Sequence, residues 1–197
     1  MKEASNSLER FNAFSDGIFG VLITILVLDI KVPDGATPGS LLPLWPTGLS
    51  YAVSYLFVAI VWVNHHHLLR HADVTTPFLI WSNFAHLFAA SFVLFLTGWI
   101  AKTRLAPFPV SLYAADFVLV NITYIALCWE IVDRPAGMTI RNEVRKNMHL
   151  RSFSTLGVFT LASVMALKWP IAGMGLICCC LLAYVRPEAP GIKQKNL

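Results

Sequence analysis

Charged side chains are what this sequence has least of: 15 Lys and Arg and 11 Asp and Glu among 197 residues, 13% of the chain. A soluble fold needs a charged exterior, and that supply is too sparse for one when 56% of the residues are hydrophobic and stand in long blocks. Cysteine is also scarce. Cys128 and the run Cys178, Cys179 and Cys180 fall inside apolar blocks, where thiols pack as small apolar groups, so no disulfide is expected. Nucleophile elbow, phosphate-cradling Gly-rich loop and zinc-protease motif are all missing, which excludes the conventional enzyme classes. The formal charge of +4 comes without a basic stripe interleaved with aromatics, so no nucleic-acid partner is expected. No cleaved secretory leader is expected either, because the first apolar block is full length and continues past Asp29 into Lys31.

What the chain has in quantity is membrane-length hydrophobic sequence. A spanning helix takes about 20 mostly apolar residues, since each rises about 1.5 Å through a hydrocarbon layer about 30 Å thick. Six such blocks run from Phe11 to Val32, Leu49 to Leu69, Pro77 to Ile100, Val110 to Val132, Phe153 to Trp169 and Pro170 to Val185. The segments between them, such as Pro33 to Pro46 and Arg134 to Arg151, are short, polar or rich in Pro and Gly, with no room for a soluble domain. The expectation is an all-α membrane protein with six transmembrane helices, residues 1–197 forming one domain in a lipid bilayer.

With six spans, Lys2, Arg10, Arg70, Arg134, Arg141, Arg145, Lys146, Arg151, Arg186, Lys193 and Lys195 share the side of the N-terminus. Lys31, Lys102, Arg104 and Lys168 lie opposite, a division of 11 to 4. The positive-inside rule then puts both termini in the cytoplasm of a multi-pass plasma-membrane protein.

The first block is the most informative. Asn6 followed three residues later by Glu9 reads as a capping box, which predicts a helix start near Ser7. Next comes Arg10-x-x-x-Phe14-Ser15-Asp16-Gly17, and an Arg and an Asp flanking an intramembrane start are costly unless paired. At about 100° per residue, Arg10 and Phe14 share a face while Ser15 and Asp16 point to its side, toward neighbouring helices. Further along, Val21, Thr24, Ile25 and Leu28 follow the i, i+3, i+4, i+7 rule and form one stripe, with Gly17 and Gly20 allowing close approach beside it. Spacing alone is equally satisfied by ordinary helix packing, with Thr24 bonding back to its own backbone.

Arg10-x-x-x-Phe14-Ser15-Asp16-Gly17 at the head of the first of six spans resembles the signature of the transmembrane protein 175 potassium channels, and the single six-helix unit resembles their bacterial members. The resemblance implies a homotetramer in which the first helix of each subunit lines a central pathway for potassium ions, with no cofactor beyond the permeant ion. Val21, Ile25 and Leu28 would then form the pore constriction, and Thr24 would stand at the hydroxyl position linked to potassium preference. The chain departs from the family in having Val21 where Ile is common and Gly20 where Ala is common, so a wider or better hydrated first constriction is expected. An apolar ring gates by dewetting, because methyl groups offer an ion no replacement for its hydration shell. No Thr-Val-Gly-Tyr-Gly segment is present to supply rings of carbonyls, so only modest preference for potassium over sodium is expected.

The resemblance also implies that Arg10, Phe14, Ser15 and Asp16 are held by polar and aromatic groups of the second and third helices, here Trp62, His65, His66 and Asn83. His65 and His66 are consecutive and cannot share a face, so at most one of them is expected to reach Ser15 or Asp16, and the sequence does not say which. His67 reads as an interfacial helix end and His71 as a solvated loop residue. A rival reading is a metal or proton transporter using His65, His66, His86, Asp16 and Asp116, although no specific ligand spacing supports it. Another is haem held between His66 and His86. Glu130 and Asp133 read as interface residues, and Asp29 and Lys31 as a solvated helix end that could shape an external mouth.

Overall fold

A computed structural model describes residues 2–33, 35–72, 74–134 and 142–185, and the side chains of these except residues 2–5, 29 and 142–144. The described residues form six α-helices: α1 (Lys2–Ile25), α2 (Trp45–Leu69), α3 (Pro77–Lys102), α4 (Pro107–Cys128), α5 (Asn142–Ala166) and α6 (Pro170–Tyr184). Among the described residues there is no β-strand. Four of the helices, α2, α3, α4 and α6, carry Pro in the first turn. There the missing N–H costs nothing and the fixed φ is already helical. Thr76 caps α3 by accepting the Leu79 N–H at 3.0 Å.

The helix starts and ends differ from the sequence reading in instructive ways. Helix α1 begins at Lys2, so Asn6 and Glu9 lie within it and the expected capping box does not mark its start. It ends at Ile25 and tightens into a 3-10 turn over Leu26–Asp29. Helix α4 loosens into a π-helical turn over Trp129–Asp133. Helix α5 starts at Asn142, well before the apolar block. Between α3 and α4 the chain reverses on Arg104 and Leu105, both in left-handed backbone at φ 52° and 61°, with the Leu105 side chain buried in the core.

Four stretches are long and apolar enough to cross a membrane: Asn6–Leu28, Pro38–Leu69, Pro77–Lys102 and Pro107–Asp133. Pro170–Tyr184 is a shorter apolar helix. The all-α, multi-helix membrane architecture expected from the sequence is therefore present, with α5 and α6 as its less extended members.

Helix α4 packs against α3, α5 and α6, while α1 lies against α2 and α3. The core is aromatic where α2, α4 and α5 meet: Phe57 and Phe117 stack at 3.4 Å between centroids, and Phe159 meets Phe117 edge-on at 5.3 Å. Hydroxyls tie the helices together in the same half as the α3–α4 turn. Ser54 lies 2.6 Å from the Thr97 hydroxyl and 2.7 Å from that of Tyr113, and Ser163 donates to the Ser111 carbonyl at 2.9 Å. Such interhelical bonds contribute roughly 0.6 kcal/mol each on average in membrane bundles. All four cysteines are free thiols.

The tightest helix approach is at Gly173 of α6, where a Cβ would lie 2.8 Å from Ala166 Cβ and 3.0 Å from the Ala162 carbonyl. Small residues permit that approach, and a side chain there must push α5 and α6 apart. Gly173→Leu is therefore expected to destabilise the protein by about 1–3 kcal/mol, read as a lower unfolding midpoint in detergent. Gly175→Ala, where a Cβ meets nothing within 4 Å, should leave the midpoint nearly unchanged.

Candidate functional site

Helix α1 has two faces. Ser15, Phe19, Leu22 and Leu26 form the inner one, and Leu26 is fully buried. Val21, Thr24, Ile25 and Leu28 form the outer one, with Val21 54%, Ile25 41% and Leu28 76% exposed in the isolated subunit. The 3-10 turn after Ile25 keeps Leu28 in line, because residues three apart eclipse at three residues per turn. Gly17 and Gly20 lie on the outer face with open space where a Cβ would stand. The Thr24 hydroxyl donates back to the Gly20 and Val21 carbonyls, at 3.0 Å each. Its proton is thus committed to the helix, while oxygen lone pairs remain to accept a donor or a cation.

The other end of α1 is held by two polar branches. In the buried one, Asn83 of α3 donates through Nδ2 to Ser15 Oγ at 2.9 Å, and its Oδ1 lies 2.6 Å from His65 Nε2 of α2. An amide oxygen only accepts, so His65 donates from Nε2. In the half-exposed branch, Trp62 Nε1 donates to Asp16 Oδ1 at 2.8 Å. His66 Nδ1 stands 3.8 Å from the same oxygen, and Arg70 donates to His66 Nε2 at 2.9 Å. Arginine cannot accept, so in the neutral ring the His66 proton is on Nδ1, facing Asp16.

Both histidines join the network, but by different routes: only His66 faces Asp16 directly, and His65 reaches Ser15 only through Asn83. Consecutive residues point about 100° apart, and that divergence is what lets His65 serve the Ser15 branch through Asn83 while His66 faces Asp16. Arg10 differs from the expectation: it is exposed, and among the described residues it makes no ion pair or hydrogen bond. It shares the outer face of Phe14, which meets Phe84 of α3 edge-on at 5.6 Å.

Several polar contacts were not evident from the sequence. Glu130 is buried within the subunit: it accepts from Thr76 at 2.5 Å and from Arg134 at 2.8 Å, joining the start of α3 to the π-helical turn. Asp133 meets His149 of α5 at 3.1 Å. His86 bonds Thr123 of α4 at 2.9 Å and stacks parallel to His65 with centroids 5.5 Å apart. Asp116 is buried, and its Oδ2 has no partner among the described residues. The signal for these contacts was a polar residue inside an apolar block, which marks burial without naming a partner. Among the described residues no three His, Cys, Asp or Glu side chains converge as metal ligands. His66 Nε2 is bonded by Arg70 and His86 Nδ1 by Thr123. The Asp29 side chain, the Lys2 side chain, Arg141, Arg186, Lys193 and Lys195 lie outside the described residues, while Lys31 is exposed.

Comparison with known proteins places this arrangement in context. Residues 10–94 match the family described as endosomal/lysosomal potassium channel TMEM175. The chain is similar to a potassium channel of Chryseobacterium sp. (strain P1-3), 29% identical over 91% of this chain and 93% of the relative. It is also similar to a potassium channel of Streptomyces collinus, 32% identical over 69% of this chain and 75% of the relative. A crystal structure of a lysosomal potassium-selective channel TMEM175 homolog from Chamaesiphon minutus superposes with a TM-score of 0.81 at 26% identity, covering 91% of this chain and 97% of that one. The human endosomal/lysosomal proton channel TMEM175 is 35% identical over 36% of this chain, which spans 16% of the human protein.

Asn83 is the residue on which the buried branch turns. Asn83→Leu leaves His65 Nε2 without its partner and Ser15 Oγ with only its bond to the Phe11 carbonyl, a cost of about 1–3 kcal/mol, whereas Arg10→Gln on the exposed face should change stability by less than about 0.5 kcal/mol. Thermal unfolding of the purified variants checks both values. An Asn83→Leu effect no larger than that of Arg10→Gln would contradict the buried branch.

Proposed function

The chain belongs to the TMEM175 family of potassium channels, and from that premise we propose that it is a potassium-permeable, modestly selective cation channel whose pathway runs along the outer face of α1. The observation that carries the reading is the stripe of Val21, Thr24, Ile25 and Leu28. It lies within the family-matched segment and is left uncovered by the rest of the subunit. In a homotetramer the four stripes face a common axis. Val21, Ile25 and Leu28 then form the constriction, and Thr24 is the one polar group among them.

Physically, methyl groups cannot replace the hydration shell of an ion, so a narrow ring of Ile25 and Leu28 excludes ions until it widens and rewets. Thr24 contributes a hydroxyl oxygen, a single polar ligand per subunit. That is far less than the stacked carbonyls of a carbonyl-type filter, so preference for potassium over sodium is modest. The polar groups of α2 and α3 hold α1 in register and take no part in conduction. The protein is a multi-pass membrane protein; we place it in the plasma membrane with both termini cytoplasmic, on the charge asymmetry of its ends.

A second reading, passage of protons, is favoured by the name of the human relative as a proton channel. With equal potassium on both sides and a pH gradient, a proton pathway moves the reversal potential with the gradient. The reading proposed here keeps it near zero and moves it with the potassium gradient instead.

Reconstituted protein is expected to pass potassium in liposomes with no energy source, and flux that requires a proton gradient would overturn the channel reading. Ile25→Asn and Leu28→Asn should hydrate the constriction and raise cation leak several-fold in the assembled protein; unchanged conductance would remove these residues from the pathway. Thr24→Val should shift the reversal potential under potassium/sodium gradients toward lower potassium preference. An unmoved potential leaves Thr24 with its backbone bonds alone.

A further inference from the structure

Away from the outer face of α1, a half-enclosed cavity of about 60 Å³ lies between α2, α4, α5 and α6, with His86 of α3 in its wall. It sits in the half of the bundle that holds the N-terminus and the α2–α3 and α4–α5 connections. Phe57, Phe117 and Phe159 contribute its aromatic part, and Asn64, Asn121 and Tyr124 its polar part.

His86 is fully buried. Thr123 Oγ1 lies 2.9 Å from His86 Nδ1 and within reach of the Leu119 and Val120 carbonyls; with the Thr123 proton given to a carbonyl, the ring donates from Nδ1 and Thr123 Oγ1 accepts. In the neutral ring Nε2 is then an acceptor, and among the described residues it meets no donor. Asn121, half-buried, adds a second acceptor to the wall. Its Nδ2 donates to the Ser152 carbonyl at 3.2 Å and to Thr155 Oγ1 at 2.7 Å, which leaves Oδ1 to accept. A buried acceptor without a donor costs about 1–3 kcal/mol, so the cavity wall selects a small molecule that donates hydrogen bonds.

Size decides which one. A water takes about 30 Å³ of liquid volume, and an apolar cavity that takes up benzene measures about 150 Å³. Some 60 Å³ is ample for water, which needs only about 10–15 Å³ of such cavity volume, and is well below that benzene-sized cavity. Bound water also needs two to four polar partners, and His86 Nε2, the Asn121 amide oxygen and the Asn64 amide supply them. We propose that this cavity is an internal hydration site, in which ordered water donates to His86 Nε2 and is shared with Asn64 and Asn121. Solvent thus enters the bundle behind the outer-face helix and reaches a histidine stacked on His65, in a layer that continues through Asn83 to Ser15.

The test uses the full chain in lipid bilayers. With histidine labelled in 15N, water-edited solid-state NMR should transfer magnetisation from water to the His86 ring nitrogens, and Ile60→Phe, which adds a ring to the cavity wall, should abolish that transfer. A map of the wild-type protein at a resolution that shows ordered water should place a solvent peak within hydrogen-bond distance of Nε2, and this holds whether or not the variant folds. Absence of transfer to His86 in the wild type, transfer that survives in a folded Ile60→Phe protein, or a map with a protein side chain or a lipid chain on Nε2 would each overturn the proposal.

Discussion

The structure depends most on one constraint: a polar group buried in an apolar helix bundle must find its partner on another helix. Asn83 meets it for three helices at once, donating to Ser15 of α1 and accepting from His65 of α2. Apolar packing alone would hold α1 weakly to the bundle, because lipid tails offer its Phe19, Leu22 and Leu26 nearly the same surroundings. Lipid offers Ser15 and Asn83 nothing. The buried branch therefore supplies the orientational term that apolar burial in a membrane lacks.

From that follows the division of α1 into an inner and an outer face. The helix is rigid along its length, so fixing Ser15 toward Asn83 fixes the rotation of every residue above it. The inner row of Ser15, Phe19, Leu22 and Leu26 is carried inward as a set, and Val21, Thr24, Ile25 and Leu28 are left outward as a set. Turning the helix by one residue would carry Val21 and Ile25 of the outer row into the place of Leu22 and Leu26. A polar contact near one end thus specifies which methyl groups stand on the outer face two to three turns away. The Trp62 and His66 contacts to Asp16 add a second point of fixation on the α2 side.

What could be read from the sequence follows the same physics. The blocks were legible because an apolar run of membrane length suits a bilayer and little else, and the stripe on α1 followed from helical period alone. The 3-10 turn at Leu26 did not, yet it left the stripe intact because a spacing of three is shared by both helices. Ends were harder. Asn6 and Glu9 have the residue types of a cap but lie inside α1, since capping residues are common on any polar helix end. The α3–α4 turn has no Gly to announce it, as its left-handed positions are filled by Arg104 and Leu105. Partner choice was least legible. Glu130 and His86 stood out as polar residues in apolar blocks, but their contacts with Thr76 and Thr123 depend on how the helices come together.

The uncovered stripe also bears on assembly. An exposed Leu28 or Val21 is unremarkable against lipid, so their exposure alone does not demand a pore. Thr24 and the glycines change the balance. Gly17 and Gly20 give the outer face a smooth surface where their Cβ positions stay open, and a hydroxyl whose proton is spent on its own backbone presents oxygen lone pairs outward. Lipid gains nothing from either feature. A narrow ion pathway uses both, since small residues let four helices approach one axis and an oxygen gives a partly dehydrated cation one ligand per subunit. In the pathway proposed above, a ring tight enough to close would offer a cation only that small ligand set, so closure and weak discrimination between cations would arise from one arrangement.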